Sequence, residues 1–211
     1  MRAIERAERG DTIIEVLFAV AVFAMVAVAS MSIMSQGTAA AQRSLEITLV
    51  RQQMDAQAEA IRYIHQSYVA SFSKNNGAPT GTAAEWVKMT SLTTGKGATK
   101  ASNYGETNGE ACPAQAPGEH PFLLNARTAR VWGTQPPMTA PNGASLPPFS
   151  QVQYNADSSI ANAYGLWVEA VPSTTANQTG FVDFHIRACW ISPGRSAPVT
   201  LGTIVRLYEP R

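Results

Sequence analysis

The sequence predicts an α+β protein: a long N-terminal α-helix, membrane-spanning in its first half and amphipathic in its second, packed on a C-terminal antiparallel β-sheet with long loops. Three observations carry that expectation. No charged residue stands between Val16 and Gln42. Apolar residues then recur at three- and four-residue steps as far as Phe72, the spacing of one helix face. In the last third, GFVDFHIRACWI alternates apolar and polar residues, the period of a half-buried strand. Composition agrees: 45% of the 211 residues are hydrophobic, as in a folded protein, but only 15% are charged, against roughly 25% in soluble domains. The deficit lies in the uncharged N-terminal run. A net charge of +1 gives no electrostatic pull toward nucleic acid, so no nucleic-acid partner is expected.

Residues 1–10 form a short leader carrying Arg2, Glu5, Arg6, Glu8 and Arg9 and ending in Gly10. With the terminal amine its balance is positive, which predicts that it stays on the cytoplasmic side. From Ile13 to Met34 the chain reads IIEVLFAVAVFAMVAVASMSIM, about the 20 residues that cross a bilayer as a helix, with Glu15 as its one acid. Residues 11–42 are therefore expected to be the apolar, transmembrane part of the helix. No proline precedes Pro79, and Gly37 costs only about 1 kcal/mol relative to Ala, so the helix is predicted to continue. Over residues 43–73 it becomes amphipathic: Ile47, Val50, Met54, Ala58, Ile61, Ile64 or His65, Tyr68 and Phe72 mark one face, and Arg43, Glu46, Arg51, Asp55, Glu59 and Arg62 lie on others. The whole helix spans on the order of 90 Å at 1.5 Å per residue. Lys74-Asn75-Asn76-Gly77 is its expected stop.

Residues 74–211 form the expected globular head. Between 78 and 150 the abundance of Gly, Pro, Thr, Ser and Asn predicts long surface loops, with short strands at Phe122-Leu123-Leu124 and Val131-Trp132. Three strands fall between 165 and 208, in GLWVEAV, GFVDFHIRACWI and PVTLGTIVRLY, and their short connections predict an antiparallel meander. The two cysteines, Cys112 and Cys189, have no metal-ligand or Cys-x-x-Cys spacing. In an exported head they would form one disulfide, worth about 4–5 kcal/mol by loop-closure entropy. Two buried free thiols are the alternative.

The junction RGDTIIEVLFAVAVF resembles the N-terminus of type IV prepilins: a charged leader, Gly10 before the cut, Asp11 as first mature residue, and Glu15 as the fifth. Asp11 stands where that family most often has Phe or Met. The resemblance covers about the first 40 residues and implies cleavage by a prepilin peptidase, with N-methylation of the new terminus as in the family. It implies polymerisation with identical or related pilin subunits, driven by a membrane platform and an assembly ATPase. The precursor would sit single-pass in the inner membrane with a cytoplasmic N-terminus. The product would be an extracellular or cell-envelope filament serving adhesion, motility or uptake. Chemistry gives Glu15 a matching role. An ionised acid at the centre of a membrane helix costs about 2.5–3.5 kcal/mol, less near an interface, so it calls for a partner. In a bundle of like helices that partner is the α-amine that cleavage creates on Asp11 of a neighbour. The simpler alternative is a carboxylate reaching the interface.

Two other readings of the N-terminus compete. Ala27-Val28-Ala29 before Ser30 fits a secretory cleavage site, and an uncleaved helix would anchor an extracellular binding or enzymatic domain. Within the resemblance, a pseudopilin of a secretion system is a further alternative. No catalytic, cofactor or metal set is expected, since His65, His120 and His185 are far apart and no nucleophile, phosphate-loop or dinucleotide motif occurs. Asp183 and His185 would share one solvated strand face. Asn177-Gln178-Thr179 matches a glycosylation sequon. Trp86, Tyr104 and Trp132 read as core filling or, alternatively, as a partner surface.

Overall fold

Nothing in the first 72 residues breaks a helix, and α1 runs from Ile13 to Phe72, 60 residues, continuing through Gly37. The computed structural model describes residues 13–72, 78–92, 112, 120–134, 147–173, 180–193, 195 and 197–210. The chain divides into two units, Met1–Leu45 and Glu46–Arg211, and α1 contributes to both. In the first unit its side chains are exposed on every side, Leu17, Phe18, Phe23, Met25 and Met31 among them.

Among the described residues the second unit holds the rest of α1, a second helix α2 (Thr82–Ser91), and seven strands. Five of these, β1 (Phe122–Asn125), β2 (Arg130–Thr134), β5 (Leu166–Pro172), β6 (Phe181–Trp190) and β7 (Val199–Tyr208), form an antiparallel sheet in the order β2-β1-β5-β6-β7. Strands β3 (Gln151–Tyr154) and β4 (Ile160–Tyr164) pair separately as a hairpin. The expected meander is β5-β6-β7, joined in unbroken register from Leu166↔Ala188 to Pro172↔Val182 and from Phe181↔Tyr208 to Trp190↔Val199.

The core follows from two periods meeting. Every second residue of β6, namely Val182, Phe184, Ile186, Ala188 and Trp190, joins Val50, Met54, Ala58, Ile61 and Ile64 of α1 within one buried cluster. Each large side chain so buried stabilises the fold by about 1.5–3 kcal/mol. The region expected to be loop contains α2. Its Ala83, Trp86 and Met89, three residues apart, are buried, and Trp86 packs against Phe184 at 5.6 Å, Tyr68 at 5.8 Å and His65 at 4.8 Å between ring centroids. Trp86 is thus a core residue. Its ten-residue helix is hidden in the sequence by Gly- and Thr-rich flanks. The short strands at 122–124 and 131–132 are β1 and β2, while β3 and β4 lie before the stretch in which strands are expected.

Two polar residues belong to the buried stripe of α1 and hold it in register. Gln57 donates from Nε2 to Leu124 O at 2.8 Å and accepts Leu124 N–H at 2.9 Å, so its amide takes the place of a strand beside β1. β1 meets β5 only at Phe122↔Val168, which leaves Leu124 available to the helix. Glu46, expected on an outer face of the helix, is instead buried and accepts the Trp190 indole N–H at 3.1 Å, fixing the first turn of the packed segment to the end of β6. Replacing Gln57 by Leu should destabilise the second unit, by about 1–3 kcal/mol for each buried backbone group left unpaired. Urea denaturation followed by tryptophan fluorescence checks this; a midpoint equal to wild type refutes the clamp.

Candidate assembly helix and disulfide-anchored sheet

Glu15 lies in the first turn of α1, where the helix dipole favours a negative charge. It makes no hydrogen bond or ion pair with another described residue. Gly10 and Asp11, the proposed cleavage and assembly residues, lie outside the described residues, as do the leader, the expected helix stop at 74–77, Tyr104 and the sequon at 177–179. After Glu15 the helix meets the requirements of hydrocarbon. Its backbone is satisfied internally, and two of its hydroxyls bond back to the same helix, Ser30 Oγ to Val26 O at 2.8 Å and Thr38 Oγ1 to Ser35 O at 2.9 Å. Among the described residues, this is the one helix long and apolar enough to cross a membrane.

Cys112 and Cys189 are joined by a disulfide across a sequence separation of 77 residues. The bond lies on the sheet face opposite α1, because Cys189 belongs to the set of β6 residues that alternates with Ala188 and Trp190. Trp167, the residue it packs with, is wholly buried. Here the strand departs from simple alternation. Arg187 and Cys189, on the face where Asp183 and His185 are expected to be solvated, are buried, and β6 is covered on both faces over its last five residues. The charges that follow are paired: Glu169 accepts the Trp167 indole N–H at 2.9 Å and has Arg187 at 3.8 Å.

A backbone knot holds Cys189. Its N–H donates to Gly165 O at 2.8 Å, and the buried Ser150 hydroxyl lies 2.9 Å from Gly165 O and 3.1 Å from Cys189 O. Gly165 adopts φ +62°, and a Cβ there would collide with the Cys189 carbonyl, so the position requires glycine. In the sequence Gly165 reads as the ordinary start of a strand. Only the pairing of β5 with β6 reveals its role.

The three histidines sit on different elements. His65 on α1 donates Nε2–H to Tyr208 O at 2.8 Å, His120 lies in an exposed bend before β1, and His185 is on β6. Asp183 is drawn instead into a two-pronged pair with Arg206, at 2.7 Å for each contact. His185 faces Glu169 across to β5 and Ile204 across to β7, with Asp183 and Arg187 beside it on β6. Burial depresses its pKa below the ordinary imidazole value, Arg187 adds to the fall, and Asp183 and Glu169 oppose it.

Because the folded pKa is the lower one, the unfolded chain binds the proton first as pH falls. The contribution of neutral His185 is full above about pH 6.5 and is lost as pH falls toward and below the folded value. His185→Gln should therefore flatten the loss of stability between neutral and mildly acid pH. Denaturation midpoints of both proteins across that range test the sign; equal slopes refute it. For the disulfide, the native chain should run faster on a non-reducing gel than on a reducing one, and labelling of both thiols without reductant would contradict the bond.

No family model matches the chain, and neither a curated protein nor a solved structure matches it.

Proposed function

We propose that this protein is a structural subunit of a type IV pilus-like filament, held in the membrane as a prepilin, cleaved after Gly10 and polymerised through α1. One observation supports the reading above the others. A single continuous helix is apolar on all sides in its first unit, with Glu15 alone in the first turn, and amphipathic where it packs on the sheet. An anchor needs only the apolar half. A polymerising helix needs both the apolar length, to bundle with its neighbours once out of lipid, and a direct continuation into a folded head.

In this reading Asp11 supplies the new terminal amine and Glu15 receives a neighbour's amine. A prepilin peptidase acts on the leader, and a membrane platform with its assembly ATPase extracts the subunit from the bilayer. The precursor is single-pass with a cytoplasmic N-terminus, and the filament is extracellular or within the cell envelope. The disulfide, which persists in oxidising compartments, favours export of the head. The role is adhesion, motility or uptake rather than catalysis. A pseudopilin of a secretion system would share this chemistry. An uncleaved anchor carrying an extracellular domain is the second reading, favoured by the length of the apolar helix alone.

Mass spectrometry of the native N-terminus separates these readings: Asp11 for the pilin-like subunit, Met1 for the anchor, Ser30 for a secretory signal. Gly10→Val should leave full-length precursor in the membrane, and normal processing of that variant sinks the proposal. Glu15→Ala and Glu15→Gln should be cleaved normally yet enter filaments poorly, since removing one partner of a buried ion pair costs about 3–5 kcal/mol. Wild-type filament yield from both variants would reduce Glu15 to an interfacial carboxylate.

A further inference from the structure

Strand β7 closes one side of the five-stranded sheet, and among the described residues no strand pairs with its outer edge. Register tells which backbone groups face outward. Glu209 N–H donates to Gly180 O at 2.8 Å, so Gly180 and Glu209 form a hydrogen-bonded pair. The unbroken register then makes Phe181↔Tyr208 a non-hydrogen-bonded pair, and the pattern alternates along the strand. Thr200, Gly202, Ile204, Arg206 and Tyr208 consequently present their N–H and C=O groups away from β6. The carbonyl of Tyr208 is taken by His65 at 2.8 Å, which closes that end of the edge. The outward backbone groups of Thr200, Gly202, Ile204 and Arg206 are left, with no strand beside them among the described residues.

This stretch lacks the usual protection of an edge strand. It contains no proline, bulge or lysine. Its one charge, Arg206, is held down on its own sheet by Asp183 and lies 4.1 Å over the Phe181 ring. Ile204 is 59% exposed.

We infer that β7 is a pairing surface for a second copy of this chain, joined antiparallel about a two-fold axis through Thr203. The stretch from Thr200 to Arg206 is centred on Thr203, and this register alone uses all of it. Thr200 meets Arg206 of the second copy and Gly202 meets Ile204, each pair exchanging two backbone hydrogen bonds. The isoleucine lies over a residue without a side chain. On the other face Thr203 meets its own equivalent, and half-buried Leu201 and Val199 meet Val205 and Leu207. No like charges oppose one another. Moving the axis to Val205 would call on the Tyr208 carbonyl that His65 already occupies. Moving it toward the start of the strand brings in Pro198, which has no N–H to donate. The interface is isologous, and copies held by α1 in one membrane would meet at high effective concentration. The inference does not depend on cleavage after Gly10.

Cysteine crosslinking of the full chain in its membrane tests it. Under mild oxidation Thr203→Cys should shift to twice the chain mass, with the 203–203 peptide identified by mass spectrometry after digestion. Thr200→Cys, which would face Arg206, should stay at monomer mass. Adding Ile204→Pro to Thr203→Cys removes an outward N–H that β6 does not use, so the denaturation midpoint should stay close to that of Thr203→Cys while the crosslink is lost. Absence of the 203–203 crosslink, or equal crosslinking at 200 and 203, overturns the proposal, as does a crosslink that survives Ile204→Pro. A foreign strand seated on β7 would leave Thr203→Cys monomeric and belongs to the first of these outcomes.

Discussion

One helix has to satisfy two environments, and the rest of the structure depends on how it does so. Over its first unit α1 offers apolar side chains in all directions and no charge between Val16 and Gln42. From Glu46 onward it buries a single face against the sheet. In the second environment apolar burial is non-directional, and directional bonds add to packing in fixing the helix on the sheet. Gln57 and Glu46 supply such bonds. Their bonds to Leu124 and Trp190 are directional and buried, so a shift would strand polar groups away from water.

The same polar residues mark the limit of what could be read from sequence. The helix, its change of character near residue 43, the β5-β6-β7 meander and the Cys112–Cys189 pair were legible, because each rests on local period or on a count of two cysteines. Gln57, Glu46 and Ser150 were not. A buried polar side chain looks like a surface one until its partner is known, and these partners lie 67, 144 and 39 residues away. Helix α2 is illegible for another reason: Ala83, Trp86 and Met89 give only two helical steps, too short a run to stand out from loop composition. Gly10 and Asp11 lie outside the described residues, so the start of the candidate assembly site rests on its sequence register with Glu15.

Strand β6 shows why alternation identifies a strand but not the fate of both its faces. Val182, Phe184, Ile186, Ala188 and Trp190 enter the core shared with the helix, as the pattern predicts. The other set begins half-buried at Asp183 and His185 and ends buried at Arg187 and Cys189. Disulfide and backbone knot lie at this buried end, and the depressed imidazole of His185 lies at the transition. The disulfide ties Cys112 to the sheet face on which Trp167 is buried, and both cysteines pack in that cluster.

Sequence spacing also constrains the proposed role of Glu15. In sequence Asp11 precedes it by four residues, a spacing that would be about 6 Å, or roughly one turn, in a helix reaching the cleaved terminus. The amine made by cleavage could therefore approach the carboxylate of its own chain as well as that of a neighbour. Pairing within one chain would neutralise the acid in the membrane and reduce the cost of waiting there. Pairing between chains would need neighbouring helices displaced axially by about that turn, setting each terminus level with the next carboxylate. Assembly on this reading is an exchange of one ion pair for another, and its net gain comes from the apolar helix surface that packs in the bundle. In the proposed filament the charge would set the axial offset between subunits, and the uncharged run after it would supply the contact area.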